Sequence, residues 1–308
     1  MVSLPTFGWV LGGVVASRVG LLPQALNDRI SKLSFNFGLP AMLFAGAAGV
    51  DYSTLATASY LLAGVLATFL VLGLSWVYSI WRGHSLPQRG IFSQGAFRSN
   101  LAIMGLALCI TAYGEQGAQL AAMAVAVMTT LYNILAVWVL NVSHGTNTSV
   151  PATLLGVARN PLIIGISAGA ALSISGLPVP ALVDTAGIFL SAFFLPLMLI
   201  CVGGAMSLSE LRSSGPLAWE STVWRLLVAP ALTVLIAIPL GVKNETLGVL
   251  FLLVATPAAA SGYVMVVAAR GDGVLAANIV VLTTLFSMVT ITLGFFALSL
   301  MGLVGEVI

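Results

Sequence analysis

Long apolar runs, each closed by glycine, proline or a charged residue, recur along the whole chain. Because about 20 apolar residues cross a bilayer as a helix, the pattern predicts ten spans: residues 3–21, 32–50, 56–80, 91–112, 117–140, 155–177, 186–207, 222–240, 246–269 and 274–302. The connections are short, and the stretch from Asn141 to Ser149 is the longest polar one. No soluble domain or linker interrupts the series. Ten is even, so both termini are expected on the same face.

Composition agrees with this reading. Of 308 residues 59% are hydrophobic and 6% charged, and the mean hydropathy is +1.11, whereas a globular chain carries about 25% charge. An all-α integral membrane protein is implied. The net charge of +2 is small and spread along the chain, so a nucleic-acid partner is not expected. Cys109 and Cys201 lie inside apolar runs without metal or disulfide spacing and read as small buried hydrophobes. The first run has no basic segment before it, and its arginine, Arg18, follows it. It is expected to stay as a helix and not be removed as a signal peptide.

Orientation follows from lysine and arginine in short loops. Arg18, Arg29, Lys32, Arg82, Arg89, Arg159, Arg212, Arg225 and Arg270 fall on one side of the ten-span arrangement, and Lys243 falls on the other. The first side is expected to be cytoplasmic, which places both termini outside a multi-pass protein of the cell membrane.

The chain also repeats itself. Shifted by 156 positions, Leu26, Asp28, Phe37, Leu39-Pro40, Met42-Leu43 and Ser53 fall on Leu182, Asp184, Phe193, Leu195-Pro196, Met198-Leu199 and Ser209. Between residues 13 and 55, fourteen of 43 positions are identical, against roughly a tenth from composition alone. One more residue of offset aligns Gly114 with Gly271 and position 100 with Pro257. Each half, residues 1–150 and 151–308, holds five spans, an odd number, so the second half is upside down relative to the first. Secondary transporters are built on such inverted repeats, with the site near the midplane at broken helices.

The repeat directs attention to the fourth and ninth spans. In the ninth, Thr256-Pro257-Ala258-Ala259-Ala260-Ser261-Gly262-Tyr263 interrupts the apolar run. Threonine is a good N-cap and proline suits the first helical position, so Thr256-Pro257 is expected to start a second half-helix. In the fourth, Phe97-Arg98-Ser99-Asn100 places a cation, a hydroxyl and a carboxamide where apolar residues belong, and Ser99-Asn100 forms a strong N-cap pair. From either point about 12 residues remain to the next loop, roughly 18 Å of helix, so both breaks are expected near mid-membrane. Two helix N-termini meeting there favour an anion, and Asn100 adds two side-chain donors.

Arg98 has two readings: an attractor for an anion entering from inside, or an arginine that snorkels to the interface or is tied to backbone carbonyls. Asn36, four residues before Pro40 on the same helix face, either lines the cavity or bonds another helix. Asn133 reads as packing glue, Pro40 and Pro196 as kinks, and Gly203-Gly204 as a close helix contact. Tyr263 either caps the cavity or faces the interface. No Asp, Glu or His lies deep in any span, so coupling through a buried acid is not expected. Sodium held by hydroxyls and carbonyls, and uniport, both stay open. No catalytic set such as Ser/His/Asp or HExxH is present, so an enzyme is not expected.

The run Leu39-Pro40-Ala41-Met42-Leu43-Phe44, then Phe97-Arg98-Ser99-Asn100 with Tyr113-Gly114-Glu115, then Leu195-Pro196-Leu197-Met198-Leu199 with Gly203, and finally Thr256-Pro257-Ala258-Ala259 with Gly271-Asp272, resembles the auxin efflux carrier family over nearly the whole chain. That family is related to the plant PIN-FORMED carriers and, more distantly, to the bile acid sodium symporters. The resemblance implies ten helices in two inverted five-helix repeats, a scaffold and a transport part, and broken fourth and ninth helices that cross, as in sodium/proton antiporters and bile acid symporters. It implies transport of a small organic anion, with Asn100 at the position that contacts the substrate carboxylate. The chain departs from the plant pattern in lacking a proline in the fourth-span break, in having Ser261 where an asparagine often follows the ninth-span proline, in lacking a carboxylate in the third span, and in lacking a long central loop.

The expected substrate site is therefore Arg98, Ser99, Asn100, Thr256, Pro257, Ala258, Ser261 and Tyr263, with Asn36 and Pro40 at its edge. No cofactor is expected, sodium remaining open. The expected partners are an organic anion, membrane lipid and, compatibly, a second copy of the chain. A sodium-coupled symporter of a larger amphipathic anion, or a membrane sensor that binds without transporting, are the alternative functions.

Overall fold

A computed structural model of the chain describes residues 3–48, 59–145, 155, 158–159, 161–177, 185, 189–190, 193–194, 196–198, 200–201, 203–204 and 215–305. The spans expected at 155–177 and 186–207 are described only in pieces, as is the turn after the second span.

Among the described residues the chain is helical, with one isolated β-bridge and no strand. Helix α1 spans Ser3–Arg18. Helix α2, Gln24–Leu33, runs through a π-helical turn at Ser34–Gly38 into α3, Leu39–Ala48. Helix α4 is Ser59–Trp81 and α5 is Leu86–Phe97. A π-turn at Leu101–Gly105 leads into α6, Leu106–His144. Helix α7 is Pro161–Ile174. Helix α8, Pro216–Val223, continues through a π-turn at Trp224–Val228 into α9, Ala229–Ala237. Helices α10, Asn244–Val254, and α11, Ala260–Ala268, are separated by five non-helical residues, and α12 is Gly273–Leu300. Among the described residues four segments are long and apolar enough to cross a membrane unaided: Ser59–Trp81, Met123–His144, Pro216–Ala237 and Gly273–Leu300.

Local chemistry explains the irregular points. Two of the π-turns sit just before a proline, Pro40 and Pro230, whose missing N–H and bulky ring disturb the preceding turn. Gly114 takes φ 57° and ψ −135° inside α6, a conformation that a side chain makes costly. It divides α6 into a short segment to Tyr113 and a long one beyond Glu115. Helix α5 starts where Ser85 N–H donates to Gln88 Oε1 at 2.9 Å, and α12 where Asp272 accepts from Leu275 N–H at 2.9 Å.

Three spans start earlier than the sequence reading, α5 at Leu86 instead of 91, α8 at Pro216 instead of 222 and the second at Gln24. The second span begins at Gln24, not 32, because Asp28, Arg29 and Lys32 ride on a helix whose opposite face, Asn27 and Ser31, is buried. Arg225, counted above as a loop cation, is fully buried inside the Trp224–Val228 turn.

Apolar side chains face outward in rows spaced by three or four residues: Leu62, Leu66, Leu70, Leu74 and Val77 on α4, and Leu285, Val289, Leu293 and Phe296 on α12. Lipid is the solvent that suits such a surface, so this is a multi-pass membrane protein. Inside, small residues bring helices together. Gly165 and Gly169 of α7 lie against the carbonyls of Pro40 and Phe44 of α3, with no room for a methyl group at either. Replacing Gly165 by leucine is expected to force the helices apart and lower the thermal midpoint in detergent by several degrees, while the same change at Gly73, which has open space beside it, leaves the midpoint within a degree or two of wild type.

Candidate functional site

Two interruptions, 157 positions apart, come together and satisfy one another. Helix α5 ends as Arg98 turns to φ −88° and ψ 96°, and α10 ends at Ala255 before Pro257. Ser99 and Ala258 then pair as an antiparallel bridge. Asn100 N–H donates to Pro257 O at 2.8 Å, and Ala259 N–H to Arg98 O at 3.3 Å. Ala258 N–H finds the Thr283 hydroxyl of α12 at 3.1 Å. Backbone groups freed by each break are thereby bonded within protein, as membrane depth requires. Asn100 and Pro257, which the repeat offset equates, stand opposite each other.

The helices restart later than the capping residues suggested. Helix α11 begins at Ala260 with Ala259 as its N-cap. Thr256 does not cap it, because its hydroxyl donates back to Leu253 O at 2.8 Å and closes α10 instead. Beyond Asn100 the chain resumes as the π-turn, with Gly105 N–H on Asn100 O at 3.0 Å. The Asn100 carboxamide is therefore left over: it has no hydrogen-bonding partner among the described residues and sits 8% exposed. Ser99, also buried, donates to the Tyr132 hydroxyl at 3.3 Å.

Arg98 neither snorkels nor binds backbone. Its side chain is buried among the helices, with Nη2 donating to Asn133 Oδ1 at 2.8 Å and to Ser261 Oγ at 2.7 Å. Nη1 meets only the Met265 thioether at 3.0 Å, and Nε–H has no partner. Among the described residues no carboxylate lies within ion-pair distance, the acid Glu220 being engaged by Arg82 and His84. Asn133 is interhelical glue, as expected, and the arginine is what it holds; its own Nδ2 is anchored on Thr129 O at 2.7 Å.

Sequence reasoning missed Arg225. Fully buried, it donates from Nη1 to Ala96 O at 2.9 Å and from Nη2 to Val254 O. These carbonyls lie in the last turns of α5 and α10, where intrahelical partners run out and the helix dipole is negative. One guanidinium thus caps both helices that enter the paired breaks. Its signal was present as an arginine inside the apolar run 222–240 with proline five residues on, a combination that also reads as the edge of a span.

The remaining expected residues separate. Tyr263 is fully buried, accepts from Asn27 Nδ2 at 2.9 Å, and shares with Arg98, Gln94, Ala258 and Gly262 the lining of a cavity of about 20 Å³. Asn36 is exposed on the π-turn before α3 and does not line it, and Pro40 packs against α7. The pair Asn36 and Pro40 is thus not brought to the breaks.

The family model for membrane transport proteins of the auxin efflux carrier type matches residues 2–294. The chain belongs to the auxin efflux carrier family. A search among curated proteins finds no match. As a member of this family of membrane transporters, not enzymes, it carries at the paired breaks a cation that has no counter-charge among the described residues, a carboxamide that has no partner among them, and the N-terminus of α11.

Replacing Arg225 of this auxin efflux carrier family member by methionine leaves the Ala96 and Val254 carbonyls buried without donors, at about 1–3 kcal/mol each. A thermal midpoint lower by several degrees than wild type is expected in a detergent melt, with Arg225→Lys intermediate because it restores one point charge but not the two-pronged reach.

Proposed function

We propose that this protein is a secondary transporter of small organic anions, mono- or dicarboxylates, which it holds at the paired breaks by Arg98 and Asn100. What carries the reading is the buried Arg98 guanidinium, without a carboxylate among the described residues and two positions along the break from Asn100, whose carboxamide has no partner among them. A substrate carboxylate supplies the missing charge, taking Arg98 N–H groups in place of Ser261 or Asn133 and the Asn100 amide on its other oxygen. Ser99, Pro257 and Ala258 shape the floor, Thr256 fixes the end of α10, and Ser261 and Tyr263 line the approach. The charges sort accordingly. Arg225 neutralises the negative helix ends, so the positive ends and Arg98 face the substrate.

The architecture in this proposal is ten helices in two inverted five-helix repeats, residues 1–150 and 151–308, acting as one transport unit. Its support is the opposition of Asn100 and Pro257, the positions equated by the internal repeat. The broken fourth and ninth helices cross, and alternating access carries the crossover between the two faces in an elevator-like or rocking movement. The arginine-rich side is cytoplasmic and both termini lie outside the cell membrane. Removing Arg225 from the loop count leaves the bias unchanged in direction, with Lys243 still alone on the opposite face.

Uptake of labelled mono- and dicarboxylates into proteoliposomes tests the site. Asn100→Ala is expected to weaken saturable uptake by about tenfold or more, the loss of one or two hydrogen bonds to a charged ligand, with an unchanged melting profile. Arg98→Gln should abolish uptake, and Arg98→Lys should retain part of it. Undiminished saturable uptake by Asn100→Ala and Arg98→Gln together would refute the assignment.

A further inference from the structure

The geometry of Arg98 poses a second question: what balances its charge when no carboxylate is bound. A guanidinium carries five N–H donors and no acceptor. Here two hydrogen bonds go to neutral side-chain oxygens, one contact goes to a thioether, and Nε–H is unpaired although the residue is only 5% exposed. A buried ion in such surroundings draws a counter-ion or is strongly destabilising.

The cavity beside it has the dimensions for one. Its volume of about 20 Å³ exceeds the ~10–15 Å³ that a single water occupies. Its walls are mostly apolar, with Ile91, Ile279 and Val280 on the α5 and α12 sides, which strengthens any charge interaction inside. Of the polar groups around it, Gln94 turns its Nε2 toward Met265 with its Oε1 near Gly262, and the Tyr263 oxygen accepts from Asn27. Ala259 and Gly262 bring the N-terminal turn of α11, the positive end of its dipole, to the rim, with their own N–H groups bonded to Arg98 O and Ala259 O. A cation, a spare donor, a positive helix end and a water-sized space coincide.

We infer that this cavity binds a small inorganic anion of the halide class against Arg98 Nε–H, and that the halide serves as counter-ion to Arg98 until a carboxylate replaces it. The two anions then exclude one another, and carboxylate affinity falls as chloride rises. The exclusion rests on the proposed role of Arg98 in binding substrate; the halide site itself does not.

The test uses the full-length protein in detergent without any carboxylate, comparing sodium chloride, bromide and methanesulfonate at equal ionic strength. Chloride and bromide are expected to raise the thermal midpoint saturably, methanesulfonate is not, and Arg98→Gln should remove the difference. Bromide soaked into crystals of the wild type should give an anomalous peak within hydrogen-bonding distance of Nε, a readout that holds even if Arg98→Gln does not fold. Chloride at ten times its Kd should raise the apparent Kd of a carboxylate about tenfold. Equal midpoints in all three salts, a shift that persists in Arg98→Gln, or a bromide peak elsewhere would overturn the halide site. Halide binding without competition would leave the site standing and remove Arg98 from the substrate; loss of carboxylate binding in Arg98→Gln with no halide effect would do the reverse.

Discussion

The bonds from Arg225 to Ala96 and Val254 are what the centre of this molecule depends on. A helix that stops in a buried interior leaves carbonyls that need donors, and two helices stop side by side here. A single planar cation with donors on two prongs reaches both ends, and the cost of burying it is offset by two helix C-termini that converge on it. Once those ends are settled, the short antiparallel pairing of Ser99 with Ala258 needs one further donor–acceptor contact, Ala258 N–H to the Thr283 hydroxyl.

The two buried arginines divide the labour. Arg225 is consumed by the fold: its Nη groups are committed to main-chain carbonyls that cannot leave. Arg98 is held by side chains, Asn133 and Ser261, that are neutral and replaceable. The distinction is one of partner, not of burial, since both are enclosed to a similar degree. It explains why one cation stabilises and the other remains chemically available.

Much of this was legible in the chain because polar residues in apolar runs are rare and the chain repeats. The offset of 157 paired Asn100 with Pro257, and the structure sets them face to face; Gly114 marked the end of the fourth span and is the point where α6 breaks. The limits are equally physical. Arg225 sits where an apolar run begins, and local hydropathy cannot tell a loop cation from one that reaches inward to carbonyls 129 and 29 residues away. Thr256 has the chemistry of an N-cap, yet its hydroxyl serves the preceding helix, a choice decided by where Pro257 turns. Asn36 shares a helix with Pro40, but the π-turn rotates that face outward. The family resemblance extends along nearly the whole chain, and the family match covers residues 2–294.

The pairing of the two breaks also fixes an order of events during synthesis. The Arg98 carbonyl and the Asn100 N–H reach the membrane when the residues that satisfy them, Ala259 and Pro257, have not been made. Arg225, which caps the first helix at Ala96, arrives 129 residues after it. For that interval the fourth span carries unsatisfied backbone and a bare cation, so it cannot settle stably among lipid chains and must be sheltered by the insertion machinery or by water. A chain truncated before residue 257 would leave the Asn100 N–H and the Arg98 carbonyl without the partners they have here.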